Sequence, residues 1–223
     1  MHVHRKHIAL WLVAPLLGAA LTSCAAPVAA PGPAAEVTLA PLFGDHAVLQ
    51  RDKPVPVWGR AGAADTVTVT FHGQAARTVA GADGRWMVRI GPFAASAEPA
   101  DLVVAGARTV TLHDVVVGEV WLCSGQSNME FTVDDGGSTY RVNAPEAEIA
   151  AATDPLIRQL KVERTVSTVP VDTVKTSGWQ PASPATVGKF TAVGYFFARD
   201  IHRALGVPVG IIDSPWEIGR AHV

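Results

Sequence analysis

Ser127 is the residue whose surroundings most clearly predict chemistry. It follows a near-continuous apolar run, residues 115–123, after a turn that contains Gly125. Such a run is typical of a strand buried on both faces, and parallel sheets bind ligands outside the carboxyl ends of their strands. A serine hydroxyl there could attack a carbonyl carbon if a base took its proton and N–H donors faced the oxyanion. A structural role is the alternative, because serine is a common helix N-cap.

The sequence offers no obvious partner for this serine. None of the later histidines follows an aspartate at the spacing Asp-x-x-His; these are His46, His72, His113, His202 and His222. His202 is expected in solvent, on the polar edge of a helix. Asp134 and Asp135 precede two glycines and predict a turn, and Asp213 ends a predicted strand. Because no His, Cys and carboxylate cluster shows ligand spacing, no metal site is predicted.

The elements that must position Ser127 alternate between strands and helices. Their order is strand, helix, strand, helix, strand, at residues 115–123, 145–153, 157–162, 191–205 and 209–213. Gly206 is placed to end the second helix. This alternation predicts a parallel α/β sheet, which we assign to residues 115–216.

A different pattern occupies residues 37–114. Short runs of β-branched and aromatic residues alternate there with turn signals, and helical periodicity is absent, which predicts a small β-sandwich. The strongest hairpin signal is Ala-Asp-Gly at residues 82–84, just before the predicted strand 85–90. Trp58 and Trp86 could contact a sugar, but both lie within strand patterns and are expected in the core.

The composition describes a globular protein. The chain has 223 residues, of which 48% are hydrophobic and 17% charged, and its formal net charge is −2. These values exclude an intrinsically disordered chain. Because no basic block occurs beyond the N-terminus, nucleic acid is not an expected partner.

The first 24 residues predict a lipoprotein-type signal peptide. Basic and histidine residues at 4–7 precede an apolar run, 8–21, that is too short to span a membrane comfortably. Cys24 then follows in a sequence that resembles a bacterial lipobox; an ordinary signal peptide is the alternative. Either interpretation exports the protein, to the bacterial periplasm or the outer membrane, and a lipid on Cys24 is the only membrane contact expected. Residues 25–36 predict a Pro- and Ala-rich tether.

The resemblance to a known family begins at the serine. Residues 118–130 read Gly-Glu-Val-Trp-Leu-Cys-Ser-Gly-Gln-Ser-Asn-Met-Glu, which resembles the first signature block of the sialate O-acetylesterase family of SGNH hydrolases. Residues 43–50 and 55–59 resemble the start of the family's N-terminal β domain. Later segments follow the family's order, at residues 178–180, 190–198 and 206–212.

The resemblance implies a fold and a reaction. The fold would be a flavodoxin-like three-layer SGNH hydrolase domain, truncated here, preceded by the β-sandwich. The reaction would remove O-acetyl groups from a sugar or polysaccharide without a metal or organic cofactor. Ser127 would be the nucleophile, in a turn that also contains Gly125, Gln126 and Asn128. Sialic acid, xylan and other acetylated carbohydrates stay open as substrates, because loops decide specificity.

Only the serine among the four signature residues is matched. The family's oxyanion glycine is expected after Trp216, but residues 217–223 resemble the translation of a sequencing adapter and are interpreted as an artefactual tail. The asparagine and Asp-x-x-His blocks are expected further downstream. We therefore predict that this chain is an N-terminal portion, marginally folded and nearly inactive, because losing a triad member costs several orders of magnitude in rate.

Two other functions stay open. A non-catalytic, exported carbohydrate-binding or surface lipoprotein could work through the β-sandwich, although it would have no use for the serine block. An SGNH enzyme of the lipase or thioesterase type would act on a lipid. The Gly-Gln-Ser-Asn form of the block, in place of the Gly-Asp-Ser form of many lipase-type relatives, favours the carbohydrate branch.

Overall fold

The computed structural model of the protein describes residues 36–134, 142–171 and 173–215. The predicted signal peptide with Cys24, nearly all of the tether and the predicted tail lie outside these ranges, as do Asp135, Trp216 and His222. We call residues 36–118 the N-terminal region, and the described residues from 119 to 215 the C-terminal region. Together they form a mixed α/β fold that consists mostly of strands.

The described residues contain eleven strands and three α-helices. The strands are β1 (Thr38–Leu39), β2 (Val48–Gln50), β3 (Val55–Arg60), β4 (Thr66–Phe71), β5 (Gln74–Val79), β6 (Arg85–Ile90), β7 (Ser96–Ala105), β8 (Thr109–Ser124), β9 (Ile157–Val162), β10 (Thr176–Pro181) and β11 (Val209–Ser214). The helices are α1 (Ser127–Glu130), α2 (Pro145–Ala151) and α3 (Ala192–Leu205), with a 3-10 helix at Val187–Lys189.

These strands form two sheets. The smaller is antiparallel, with the order β1-β3-β6. The larger has the order β10-β9-β11-β8-β7-β4-β5, and β2 pairs with β8 outside this path. In the larger sheet β8, β11 and β9 are parallel. This arrangement confirms the parallel pairing that the alternation of strands and helices predicts for the C-terminal region.

Strand β8 belongs to both regions. Its first part pairs antiparallel with β7, and residues 119–124 pair parallel with β11. The boundary predicted between residues 114 and 115 therefore lies inside one continuous strand. At Gly118 the strand passes against the chain just before β11, so closely that a Cβ would overlap the carbonyl oxygen of Pro208. A glycine is required for this close approach.

The N-terminal strands follow directly from their residue pattern. In β6, exposed and buried residues alternate strictly, with Trp86, Val88 and Ile90 buried, as expected of a strand with one face on a core. Between β4 and β5, His72 and Gly73 have φ values of 46° and 73°. Two left-handed residues form the tight hairpin turn that matches strand twist.

The hairpin predicted at residues 82–84 is wrong. A turn occurs there, with the amide of Gly84 donating to the carbonyl of Gly81 at 2.9 Å. However, β5 before it pairs with β4 in the larger sheet, and β6 after it pairs with β3 in the smaller one. The turn therefore carries the chain from one sheet to the other, a distinction that turn residues alone do not encode.

Helix α3 begins and ends as its sequence predicts. Thr191 precedes the first helical residue, and Gly206 ends the helix with φ of 67°, its amide donating to the carbonyl of His202 at 2.7 Å. This is a left-handed C-cap, for which glycine is the usual residue. The buried side of the helix includes Tyr195 and Ala198, which pack against the parallel strands.

The parallel strands have different neighbours on their two faces. Ile211 belongs to a buried cluster with Tyr195 and Ala198 of α3. The next residue, Ile212, packs against the core of the N-terminal region, because successive strand residues point to opposite faces. Leu160 of β9 is also part of that N-terminal core. The two regions thus share packed apolar side chains across one sheet face.

The sequence predicts that residues 115–123 are buried throughout, but only the first part of this run is buried. Val115, Val116 and Val117 are fully buried, but Trp121 is 42% and Leu122 64% exposed. The difference follows from pairing: β7 and β2 flank the first part of β8, whereas only β11 is paired with residues 119–124 among the described strands.

Candidate functional site

The turn that carries Ser127 lies at the carboxyl edge of the parallel strands. Ser124, the last residue of β8, is in register with Ser214, the last residue of β11. Ser127 comes three residues later, as the first residue of α1. The predicted strand–turn–helix context of this serine is therefore present in the fold, at the edge where open parallel sheets bind ligands.

Gly125 gives the turn its shape. Its φ of 153° lies in a range that side chains other than glycine rarely adopt, and a Cβ there would come within 3.0 Å of the Cγ of Met129. After it, the amides of Met129 and Glu130 donate to the carbonyl of Gln126 at 2.9 and 3.1 Å. These bonds close a single helical turn around Ser127.

Helix α1 is fixed to the start of α3. Thr132 forms an isolated antiparallel bridge with Thr191, and the amide of Ala192 donates to the carbonyl of Phe131 at 2.8 Å. Met129 and Phe131 pack against the cluster under α3. In addition, Glu130 forms an ion pair with Arg164. A helix of four residues would not persist alone, so these contacts hold the serine in place.

Ser127 is open to solvent. Gln126, Ser127 and Asn128 are all exposed, and Gly125 is partly buried. The structure thus brings the four predicted residues together in one accessible turn. An exposed hydroxyl can be reached by a substrate, but it becomes an effective nucleophile only beside a base.

The histidines of the described ranges are engaged elsewhere. Nδ1 of His46 lies 2.6 Å from Asp114 Oδ2, and Nδ1 of His113 lies 2.9 Å from Asp101 Oδ1. His72 occupies the hairpin turn and contacts the ring of Phe71.

His202 is placed differently from its prediction. Instead of standing in solvent, its side chain is only 18% exposed, because Nδ1 is 2.6 Å from the carbonyl of Val207 and Nε2 is 3.0 Å from Asp154. Asp154 and Val207 precede β9 and β11, so this histidine lies at the amino edge of the sheet. Ser127 is at the opposite edge.

A buried polar cluster lies beside the serine turn and was missed from the sequence. Asp213, in register with Cys123, is 1% exposed, and one of its oxygens is 3.5 Å from Gln159 Nε2. The other oxygen is buried without a hydrogen-bond partner, as is the hydroxyl of Thr191. Gln159 connects the two, because its carbonyl accepts the amide of Thr191 at 3.0 Å.

Burial dominates the titration of this cluster. It raises the pKa of Asp213 to about 6, and the ammonium of Lys161, 3.9 Å away, opposes the shift. Burial also raises the pKa of the Cys123 thiol to about 11, with a smaller contribution from the charge of Asp213. The signal for this cluster in the sequence was Asp213, a carboxylate at the end of a predicted strand. We had interpreted it only as the start of a loop.

Two further features of the described residues concern metal binding and membrane-spanning helices. Within the described ranges, no three His, Cys, Asp or Glu side chains are grouped so that they could hold a metal ion. None of the helices in the same ranges has the length and apolarity that a bilayer crossing requires.

Comparison with solved structures identifies the class of this fold. The chain is 41% identical to a carbohydrate acetylesterase from Xanthomonas citri, and the two structures match with a TM-score of 0.76 over 81% of this chain and 40% of that enzyme. The described fold is therefore similar to the matching part of a carbohydrate acetylesterase.

Sequence comparison identifies the family. The chain is 32% identical to the sialate O-acetylesterase of Rattus norvegicus and 29% identical to that of Mus musculus, in each case over 79% of its length. Over the matched residues the chain is similar to the sialate O-acetylesterase family, which confirms the resemblance found in the serine block. The chain spans 35% of the length of these two relatives. No family model matches it.

Proposed function

We propose that the protein is a carbohydrate O-acetylesterase, or a part of one, in which Ser127 attacks acetyl esters on a sugar. The observation that carries this proposal is the accessible Ser127, in a glycine-dependent turn at the carboxyl edge of three parallel strands. The names of the similar proteins support an acetylated carbohydrate as the substrate class. Sialic acid, xylan and other acetylated polysaccharides all remain within it.

The proposed reaction has two steps. The oxygen of Ser127 bonds to the carbonyl carbon of the acetyl ester as a base takes the serine proton, and the sugar oxygen leaves with a proton. Water then attacks the acetyl-serine, which releases acetate and restores the hydroxyl. Backbone N–H groups of the turn formed by Gly125, Gln126 and Asn128 are suited to the developing oxyanion. This scheme uses no metal or organic cofactor.

The finer fold assignment is part of the same proposal. The N-terminal region would be a β-sandwich, because its two sheets enclose one apolar core. The C-terminal region would belong to a flavodoxin-like three-layer SGNH domain. Its parallel order β9-β11-β8, with α3 packed on one face, supports this assignment.

We propose that the 223-residue chain by itself hydrolyses acetyl esters poorly. The described histidines with polar partners, His46, His113 and His202, are bonded away from Ser127. Without a base the serine hydroxyl stays protonated, and loss of a triad member lowers the rate by several orders of magnitude.

Export to the periplasm, with a lipid on Cys24, completes the proposal. The measurement is the intact mass of the mature protein from a bacterial membrane fraction. We expect an N-terminus at Cys24 with added acyl mass. Cleavage at another position would leave an exported protein without an anchor.

The function is tested on the longest product that the gene encodes. The coding DNA is sequenced beyond the codon for Trp216, and the product is assayed with p-nitrophenyl acetate. If the frame reaches an Asp-x-x-His, we expect hydrolysis that Ser127→Ala lowers by about 10³-fold or more. Ser124→Ala, an exposed serine next to the same turn, is the matched control and should change the rate less than about tenfold.

Each result has a separate meaning. Activity that survives Ser127→Ala would show that another residue is the nucleophile. Ser127-dependent hydrolysis by the 223-residue chain itself would refute the proposed inactivity. A coding frame that ends at Val223, with no hydrolysis, would favour the alternative of an exported carbohydrate-binding protein.

A further inference from the structure

A cavity of about 480 Å³ lies beside the carboxyl end of β9. Residues of β9 and β10 form one of its walls, and residues of the segment between β10 and α3 form the other. Its volume is within the range of small-molecule sites, in which a few polar groups fix the orientation of the ligand.

A β-bulge in β10 turns polar side chains towards this cavity. Two residues of β10, Ser177 and Gly178, stand opposite Lys161 of β9, where regular pairing has one. Gly178 has a φ of 76°, a left-handed conformation that glycine adopts without strain. Because of the extra residue, Ser177 and Gln180 both line the cavity, although residues three apart on a regular strand point to opposite faces. Bulges that re-aim a side chain are frequent next to active sites.

Gln159 brings a buried amide to the cavity. Its side-chain carbonyl accepts the backbone amide of Thr191 at 3.0 Å, and this bond fixes the orientation of the group, since a backbone N–H can only donate. The side-chain nitrogen therefore faces Asp213, at 3.5 Å. Gln159 is only 3% exposed. Its nitrogen carries two N–H donors, and Asp213 takes one of them, so the second is suited to an oxygen of a bound molecule.

The side chains that line the cavity carry positive charge. Two of them are lysines, Lys161 and Lys189, and none of the described residues that line it is a carboxylate. Asp213, which does not line the cavity, offsets the charge of Lys161 from 3.9 Å away. Lys189 is exposed, so a solute can reach its ammonium. Ammonium and amide donors together are suited to an anionic oxygen ligand such as a carboxylate.

The cavity is at the same edge of the sheet as the Ser127 turn. Lys161 is in register with Asp213, and Asp213 is in register with Cys123. Two strand spacings, about 10 Å, therefore separate β9 from the strand that leads to the serine. The chain just after α1 also donates an amide to the carbonyl of Phe190 at 3.0 Å, and Phe190 lines the cavity. A sugar chain that reaches the serine turn can extend into this cavity.

We propose that the cavity binds the carboxylate of a uronic acid residue that neighbours the acetylated residue at Ser127. The ammonium groups of Lys161 and Lys189 bind the carboxylate, and Gln159 and Ser177 donate to oxygens of the sugar. This inference rests on the proposed function, which it narrows from acetylated carbohydrates in general to acidic polysaccharides. The spacing of about 10 Å between β9 and β8 places the acid group and the acetyl ester on different sugar residues.

The test is an NMR titration of the isotope-labelled chain with p-nitrophenyl β-glucuronide. The same titration with p-nitrophenyl β-glucoside replaces the carboxylate by a hydroxymethyl group. We expect the glucuronide to bind about tenfold more tightly at low salt and to shift the amide signals of Ser177, Gln180 and Lys189. The difference should shrink as sodium chloride screens the charges. Sodium acetate is the third probe, and acetate that binds as tightly as the glucuronide would overturn the saccharide site.

Three variants locate the site. Lys189→Gln should weaken glucuronide binding by about fivefold or more, because it removes a charge-assisted bond. Ala185→Glu places a carboxylate at an exposed position that lines the cavity and should abolish the preference for the glucuronide. Lys175→Gln is the matched control, since it removes the same charge from an exposed position outside the cavity, and it should change binding by less than about twofold. The same spectra show that each variant is folded.

The results separate this site from the proposed esterase activity. Equal weakening in Lys189→Gln and Lys175→Gln, or equal affinity for the glucuronide and the glucoside, would overturn the proposal. Ser127→Ala should bind the glucuronide as the unmodified chain does. Glucuronide binding at this cavity without any Ser127-dependent hydrolysis of p-nitrophenyl acetate would refute the proposed function and keep the carboxylate site, whereas the reverse result would refute the site alone.

Discussion

The N-terminal and C-terminal regions bury their apolar side chains to different extents. In the N-terminal region only Val79 and Met87 stand out as large exposed apolar residues among those described. In the C-terminal region they include Trp121, Val193 and Phe197. The rings of Trp121 and Phe197 contact each other at 5.1 Å, edge to face, so this surface is a patch and not a set of isolated residues.

The difference shows how completely each region buries the apolar side chains of its own strands and helices. The short strands of the N-terminal region close two sheets over one core, so most of their apolar residues find partners nearby. The described part of the C-terminal region has α3 on one face of its sheet and leaves residues 119–124 of β8 paired on one side only. Exposed apolar patches are found at surfaces that contact other protein, a membrane or a ligand.

The largest expected effect is the loss of a core side chain in the N-terminal region. Phe71 is 1% exposed and contacts Phe93 edge to face, with ring centroids 5.2 Å apart. We expect Phe71→Ala to lower the free energy of unfolding by about 3–5 kcal/mol, because it removes apolar burial and leaves a cavity. Urea denaturation measures this change, and Val79→Ala, at a position that is 59% exposed, should shift it by less than about 0.5 kcal/mol.

The same variant tests whether the regions are separate units. Because Leu160 and Trp179 belong to the N-terminal core, we expect Phe71→Ala to speed amide exchange in β9 and β10 as well as in β4. Faster exchange confined to the N-terminal region would mean that the two regions unfold independently, despite the strand that they share.

Local signals in the sequence were sufficient for elements whose bonds are local. Strand β6 and the helix that ends at Gly206 both form as predicted, and the turn between β4 and β5 follows from two adjacent left-handed residues, His72 and Gly73. In each case the determining interactions lie within a few residues of each other. The serine turn belongs to the same group, because Gly125 and the strand before it are adjacent in the chain.

Long-range pairing decided what the sequence could not show. Residues 82–84 form a turn, but β5 and β6 on either side of it do not pair with each other: β5 pairs with β4, and β6 pairs with β3 in the other sheet. Asp213 looks like the polar end of a strand until β9 and α3 pack over it. Trp58 and Trp86 have similar sequence surroundings, and only their register in the sheet shows that Trp86 faces the core and that Trp58 lies on the opposite face.

A smaller effect is the pH dependence of stability, to which one carboxylate in each region should contribute, Asp213 and Asp114. Burial raises the pKa of Asp213 to about 6 from 3.8, so the folded chain keeps this proton to a higher pH than the unfolded chain does. The free energy of unfolding should therefore fall as the pH rises from about 4 to about 6. We expect Asp213→Asn to remove this dependence and to stabilise the protein at pH 7.5 by about 1–3 kcal/mol.

Asp114 provides the opposite case in the N-terminal region. Burial raises the pKa of its carboxyl, but hydrogen bonds from His46 and Arg158 outweigh burial and leave the pKa below its usual value. Its stabilising contribution is present above the unfolded pKa and is lost as the pH falls through the lower, folded one. Asp114→Asn should therefore destabilise at pH 7.5 and less at pH 3. Urea denaturation at pH 7.5 and at pH 3 measures both variants. A change of stability in the same direction for the two variants at pH 7.5 would contradict the predicted contrast between these carboxylates.

The smallest expected effect on stability is at the exposed patch. Val193 is 45% exposed and is the second residue of α3, a position where a negative charge interacts favourably with the helix dipole. We expect Val193→Asp to change the free energy of unfolding by less than about 1 kcal/mol, yet to reduce self-association because it places a charge one helical turn from Phe197, which contacts Trp121. Val79→Asp makes the same change on the N-terminal region, away from any such patch. Sedimentation velocity over a range of concentrations should show less association for Val193→Asp and no change for Val79→Asp. An equal decrease in both would attribute association to net charge, and the contrast between the two surfaces would then have no consequence for assembly.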